Sequence, residues 1–302
     1  MRGRRPTGAS ARAPPEHPSC LTQPRLTQPR LSIRCGSYDA RMPPARSTRI
    51  LVLDFDGTVC IGDAPVLLYG RLLEERVRAL PGHGSAHGGE QSGEHGSEHE
   101  EGGILPALEE YLAVEDRAAL RRERGDDLDE AIDGYAAAQL LARRRGLGPE
   151  DMESAYQASR RALAVAGDIE TSAPAGLAAF LEGLPRSVRR VLVTNAPADG
   201  IAAQLEHLGI AGGIDEIVPS ARKPTGMAPI LARLLVEQGL EDSPQSLLSV
   251  GDIWVNDLEP ASALGARTAL IDRHGSGTGT PDLRARTFPE LYPAIGEWAR
   301  ER

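Results

Sequence analysis

The stretch Arg49-Ile50-Leu51-Val52-Leu53-Asp54-Phe55-Asp56-Gly57-Thr58 constrains this chain more than any other. Four consecutive apolar residues of β-favouring type read as a strand buried on both faces, the kind found inside an α/β sheet. The run ends abruptly in two carboxylates one residue apart. Open α/β sheets bind their ligands outside the carboxyl ends of their strands. At such an edge one Asp suits a nucleophile or metal ligand and the other a proton donor. Gly57 lets the backbone turn sharply and offer N–H groups to an anion. An ordinary Asp/Gly turn after a strand would look the same over ten residues, so the rest of the chain must decide.

After a short irregular link at Cys60-Ile61-Gly62-Asp63, the pattern turns helical. Val66, Leu73, Val77 and Leu80 recur at helical spacing, so 64–80 reads as an amphipathic helix stopped by Pro81-Gly82. Helical patterns continue through Leu105, Leu108 and Leu112, then Leu128, Ile132, Tyr135 and Leu140, then Met152, Tyr156 and Leu163. Gly125, Gly146-Leu147-Gly148-Pro149 and Gly167 mark the breaks. Residues 82–103 contain no large apolar residue but hold His83, His87, His95 and His99, four of the seven histidines. Histidines four apart share a face only on a helix, and this many glycines will not hold one. The tract therefore reads as a solvated, flexible loop rather than a metal site. The clusters Arg143-Arg144-Arg145 and Arg160-Arg161 fit either a solvated helix face or a seat for a substrate's second anionic group.

From about residue 174 short apolar runs alternate with helices. Strands are expected at 188–193, 214–218, 246–250 and 268–271, and helices at 201–208, 230–236 and 258–264. This alternation implies βαβ units around a parallel sheet, to which strand 50–53 also belongs. The expected organisation is a Rossmann-like α/β core of residues 49–63 and 171–302. An all-helical cap domain, 64–170, is inserted into it and carries the flexible loop 82–103. Residues 1–48 form a disordered leader.

Charge separates that leader from the body. Residues 1–49 hold ten Arg against Glu16 and Asp39, a balance of +8, which leaves −17 of the chain's net −9 for residues 50–302. So acidic a body argues against nucleic acid as the main partner. No run approaches the length of a membrane span, which argues against a membrane partner too. Cys20, Cys35 and Cys60 form neither a disulfide framework nor a metal-ligand spacing, which favours a reducing compartment and a cytoplasmic location. The leader repeats Leu-Thr-Gln-Pro-Arg at 21–25 and 26–30. Its prolines break the amphipathic helix that an organelle-targeting segment needs, and it lacks the apolar centre of a secretory signal. A translation start at Met42 fits this leader, as does a basic tail for an acidic partner.

Three more strand ends carry candidate chemistry. The second strand ends Val193-Thr194-Asn195-Ala196, whose hydroxyl and amide suit phosphate oxygens or, equally, a helix cap. Arg222-Lys223-Pro224 follows the third. A lysine there neutralises a carboxylate and a phosphate together, although Lys-Pro is often only a surface turn. The fourth ends Val250-Gly251-Asp252-Ile253-Trp254-Val255-Asn256-Asp257, which gathers several oxygen ligands in one loop, the set a hard cation prefers. Four such motifs in order, each ending a parallel strand, resemble the haloacid dehalogenase (HAD) superfamily of phosphohydrolases. The resemblance covers most of 49–273, with motifs at Asp54/Asp56, Thr194, Lys223 and Asp252/Asp257. The cap between the first two motifs resembles that of phosphoglycolate-phosphatase-like and β-phosphoglucomutase-like members. The Gly/His-rich loop and Trp254 depart from the pattern, and neither removes a catalytic group.

The resemblance implies a sheet ordered fifth, fourth, first, second, third, and a Mg²⁺-dependent phosphohydrolase acting on a small phosphorylated metabolite. Asp54 would be the nucleophile, giving an aspartyl-phosphate, and Asp56 the general acid and base. Mg²⁺ would be held by Asp54, the Asp56 backbone carbonyl and Asp252, with Asp257 in support. The N–H groups of Phe55 to Gly57, with Thr194, Asn195 and Lys223, would meet the phosphoryl oxygens. Asp56 favours phosphoryl transfer over carbon–halogen cleavage, because a leaving alkoxide needs a proton and a halide does not. The same residues would serve a phosphomutase, and a non-catalytic ligand-binding protein is the third reading.

Overall fold

Strand β1 (Arg49–Leu53) is buried at all five positions, and its alternate side chains enter two different cores. Leu51 and Leu53 point to one face of the sheet and Ile50 and Val52 to the other. That is why the run is continuously apolar rather than alternating. Each such side chain contributes about 1.5–3 kcal/mol on burial. The computed structural model describes residues 48–81, 103–115, 128, 131–165 and 170–301. The expected leader 1–48, except Thr48, and the expected histidine-bearing loop 82–103, except Gly103, lie outside the described residues.

β1 sits inside a six-stranded parallel sheet with β2 (Val188–Val193), β3 (Glu216–Val218), β4 (Leu247–Gly251), β5 (Arg267–Ile271) and β6 (Leu283–Ala285). The order is β3-β2-β1-β4-β5-β6, which is the expected order extended by one edge strand. Helices flank both faces. Leu177 and Leu181 of Leu177–Gly183, Ile201 and Leu205 of Ile201–His207, and Phe288, Leu291 and Ile295 of Phe288–Trp298 pack with Leu51 and Leu53. Met227, Leu231 and Leu234 of Met227–Gln238 pack with Ile50 and Val52.

Among the described residues, four helices lie between Ile61 and Ser172: α1 (Ala64–Arg78), α2 (Ile104–Ala113), α3 (Gly134–Arg144) and α4 (Pro149–Val165). They share a separate apolar cluster that includes Tyr69, Leu73, Ile104, Leu108, Leu141 and Met152. The chain enters and leaves this helical unit through one antiparallel bridge. Ile61 and Ser172 each donate a backbone N–H to the other's carbonyl, at 2.9 and 3.0 Å. The expected irregular link 60–63 is thus partly paired.

Several expected boundaries move. β3 starts at Glu216 rather than 214, with the Asp215 carboxylate held by the Arg190 guanidinium at 2.8 and 2.9 Å. The expected helix 258–264 begins earlier, as a wide π-type turn over Trp254–Leu258 that runs into a short α-helix, Glu259–Ala263. Ile132 is 50% exposed, because it precedes α3 and so falls outside that helix's buried stripe. Among the described residues no helix is long and apolar enough to cross a membrane.

Candidate active site

The parallel sheet delivers its strand ends to one edge, and the acidic residues follow directly. Asp54 is the first residue after β1, Thr194 the first after β2 and Asp252 the first after β4. Lys223 lies in the loop after β3, where Ser220 and Arg222 adopt positive φ angles of 49° and 52°. Non-glycine residues in that region concentrate where the surrounding structure holds a functional side chain in place.

Lys223 joins these loops. Its ammonium donates to Asp54 Oδ1 at 2.6 Å and to Asp257 Oδ1 at 2.7 Å, with only 2% of its side chain exposed. Burial disfavours that charge, but Asp257 and Asp54 outweigh it and hold the lysine above its ordinary pKa. Burial also pushes Asp257 up to about 7, against the pull of Lys223. A donor on each oxygen, the Lys223 ammonium and the Ile253 N–H at 3.1 Å, favours the charged Asp257 carboxylate.

Asp252 is in a different state. Its Oδ1 is buried and makes no hydrogen bond. Burial, followed by the nearby Asp54 and Asp257 carboxylates, raises its pKa well above the usual carboxylate range. Two glycines allow this crowding. A Cβ on Gly57, whose φ is +82°, would fall 2.2 Å from Asp252 Oδ2, and one on Gly251 would fall 2.4 Å from Asp257 Cβ. A side chain at position 57 would hold the first motif off the fourth, and one at position 251 would push Asp257 away within the fourth. One carboxylate oxygen each from Asp54, Asp252 and Asp257 lies within 4.8 Å of the other two. Three carboxylates against one ammonium leave an excess of two negative charges when all are ionised. An orphaned buried oxygen in such a set fits a hard dication such as Mg²⁺.

Asp56 turns away from this cluster. Both of its oxygens accept from Arg160 Nη1, at 3.1 and 3.0 Å. Arg160 comes from α4 of the helical unit and is 2% exposed, while Asp56 is 27% exposed. The guanidinium lies over the Phe55 ring at 5.8 Å and also donates to the Tyr135 hydroxyl at 3.4 Å. Burial raises the Asp56 carboxyl above its usual range, and Arg160 works against that rise. Tyr69, Tyr135 and Tyr156 stand around one another with ring centroids 5.8–5.9 Å apart.

The structure redistributes some of the sequence-predicted roles. Thr194 is buried, and its Oγ1 accepts the Ala196 N–H at 3.0 Å; it does not cap the next helix, Ile201–His207, whose N-cap is Gly200 with no side-chain hydrogen bond. Asn195 braces Lys223 instead of facing the acidic cluster. Its Oδ1 accepts the Lys223 N–H at 2.7 Å and its Nδ2 donates to the Lys223 carbonyl at 3.5 Å. Gly57 donates its N–H to the Cys60 carbonyl at 2.8 Å, so that group is already used. Of the two arginine clusters, only Arg160 turns inward, while Arg143, Arg144 and Arg161 are exposed. Its place was visible in the sequence. Met152, Ala155, Tyr156, Ser159, Arg160 and Leu163 form one helical stripe, and Arg160 is the charge on it. Lys223 had a signal too: the chain's 34 basic residues include this one lysine.

Solved structures share this fold. A protein described as a predicted phosphoglycolate phosphatase from Haemophilus somnus superposes with a TM-score of 0.53 at 15% identity, covering 83% of this chain and 99% of its own. The HAD-hydrolase YfnB from Bacillus subtilis, bound to magnesium, gives a TM-score of 0.50 at 19% identity over 82% and 98%. A 2-haloacid dehalogenase from Pseudomonas syringae pv. tomato matches at 0.43 and 15% identity, over 83% and 99%, too loosely to bear on the chemistry. No family model and no curated protein matches the sequence. The chain therefore has the HAD-superfamily fold.

Proposed function

We propose that the protein is a Mg²⁺-dependent phosphohydrolase that cleaves the monoester of a small metabolite through an aspartyl-phosphate. The observation that carries this reading is the 2.6 Å contact between Lys223 Nζ and Asp54 Oδ1 at the sheet edge. It holds one Asp54 oxygen and leaves the other for attack.

In this reading the second Asp54 oxygen forms a bond to phosphorus while the bond from phosphorus to the ester oxygen breaks. Asp56 gives its proton to the departing alkoxide. It then takes a proton from the water whose oxygen attacks phosphorus, and the Asp54 oxygen–phosphorus bond breaks to release phosphate. The Lys223 ammonium, the Thr194 hydroxyl and the amides of Phe55 and Asp56 stabilise the transferring oxygens. Mg²⁺, held by Asp54, Asp252 and the Asp56 carbonyl, would offset the repulsion between the Asp54 carboxylate and phosphate. Asp257, with both oxygens engaged, mainly fixes Lys223. A cytoplasmic setting fits Cys60, which is buried and free.

The test is direct. The full chain with Mg²⁺ should release phosphate from p-nitrophenyl phosphate and from some of a panel of phosphorylated metabolites. Chelation with EDTA should stop both, and added Mg²⁺ should restore them. No metal-dependent release from any of these compounds would sink the hydrolase reading. An isomeric product without free phosphate would move the assignment to a phosphomutase.

A further inference from the structure

Trp254 belongs to the fourth motif, yet the chemistry above leaves it unused. It opens the wide π-type turn Trp254–Leu258, between Asp252 and Asp257. Turns of this type are rare, and many of them sit at functional sites. From inside, the turn is pinned only by backbone bonds. The Asn256 and Asp257 N–H groups donate to the Ile253 carbonyl at 3.2 and 3.0 Å, and the Glu259 N–H donates to the Trp254 carbonyl. From outside, the indole lies against the backbone of Gly279. A Cβ there would fall 2.0 Å from Trp254 Cδ2, and 2.4 and 2.5 Å from Cε3 and Cε2.

Gly279 is itself held in place. Its loop leaves β5 at Asp272, whose Oδ1 accepts the Ser276 N–H and hydroxyl at 2.7 and 2.9 Å and whose Oδ2 accepts the Gly277 N–H at 3.1 Å. The loop returns through β6, where Arg284 donates to Asp272 Oδ2 at 2.5 Å and to the Thr278 and Gly279 carbonyls at 2.7 and 3.0 Å. The edge strand thus carries the residue that fixes the seat of the indole. We infer that Trp254 is a positioning residue for the metal ligands: seated on Gly279, it fixes the turn that carries Asp252 and Asp257 and so strengthens binding of a divalent cation there. This rests on the reading of the acidic cluster as a Mg²⁺ site. Its three carboxylates repel one another, and a turn held only by its own backbone bonds would relieve that by opening. A large ring set against a fixed peptide resists the opening, so less ordering is left for the cation to impose.

Mn²⁺ serves as a paramagnetic stand-in for Mg²⁺. It is titrated into the full chain while the signal of free Mn²⁺ is read by electron paramagnetic resonance, and the site counted is the one lost in Asp252→Asn. Trp254→Ala should bind Mn²⁺ about 10–100-fold more weakly, the range typical when an outer partner of a metal site is lost. Trp254→Phe keeps an aromatic face over Gly279 and should stay within about threefold of the parent. Gly279→Ala drives a methyl group into the ring and should weaken binding at least about tenfold, yet add less than about threefold to Trp254→Ala, where the clash is gone. If Trp254→Ala lacks a cooperative melt, Trp254→Leu is read in its place. Parental affinity in Trp254→Ala, a full effect of Gly279→Ala without the indole, or no such Mn²⁺ site in the parent would overturn the inference. Binding that follows the expected pattern without phosphate release from p-nitrophenyl phosphate would support the role of Trp254 and sink the hydrolase reading.

Discussion

Replacing Asp54 with asparagine should cut phosphate release by about 10³-fold or more, the scale on which loss of a covalent nucleophile registers. An amide is no nucleophile toward phosphorus and a poor ligand for a hard cation. Among the described residues no other carboxylate is placed to substitute. Asp252 and Asp257 lie within 4.8 Å, but Asp257 has both oxygens engaged, and Asp252 approaches from the neighbouring strand end. Stability should change little, since Lys223 keeps its bond to Asp257 and the amide oxygen still accepts. The measurement is steady-state phosphate release beside a thermal melt. More than a few per cent of parental activity in a folded variant would end the aspartyl-phosphate mechanism.

Lys223→Ala should be the second severe change, and it should act on stability as well as rate. Lys223 and Asp257 each have 2% of the side chain exposed. Removing one partner of a buried pair typically costs about 3–5 kcal/mol, because the other charge stays buried without compensation. Asp54 loses its partner at the same time. A double variant, Lys223→Met with Asp257→Asn, distinguishes the two roles. It removes both charges, so it should recover much of the lost melting temperature and none of the activity. If Lys223→Ala melts like the parent, the pair is not the brace described here. If the double variant turns over normally, Lys223 has no part in the chemistry.

What the sequence revealed follows physical lines. β1 and β2 end in the apolar runs 50–53 and 191–193, β4 is apolar but for Ser249 and its closing Gly251, and Asp54, Thr194 and Asp252 come immediately after them, so strand and site were legible together. Backbone partners were not. Asn195 braces Lys223 from 28 positions away, and the Gly57 N–H is taken by Cys60; neither pairing leaves a mark in residue types. β6 has three residues, too few to show a period, and Phe288–Trp298 contains Pro293, which argues against a helix until it is seen. Arg160 lay between these cases. Grouped with Arg161 it looked like a surface cluster, and only the helical stripe separates the buried arginine from the exposed one.

The central place of β1 in the sheet also sets a timetable for the ribosome. Its partners β2 and β4 pair with it at Val188 and Leu247, about 140 and 200 residues further along the chain. At about 5–20 residues per second, β1 waits roughly 7–28 s for its first neighbour. In that interval α1 to α4 are complete and pack mainly on one another, contacts that are local and quick to form. Stalled nascent chains of increasing length should therefore gain protease resistance in the helical unit before β1. Simultaneous protection of both would contradict that order. A strand whose five residues all end up buried is thus left for many seconds as bare sticky backbone, the natural handhold for a chaperone and the segment most exposed to mispairing between neighbouring nascent chains.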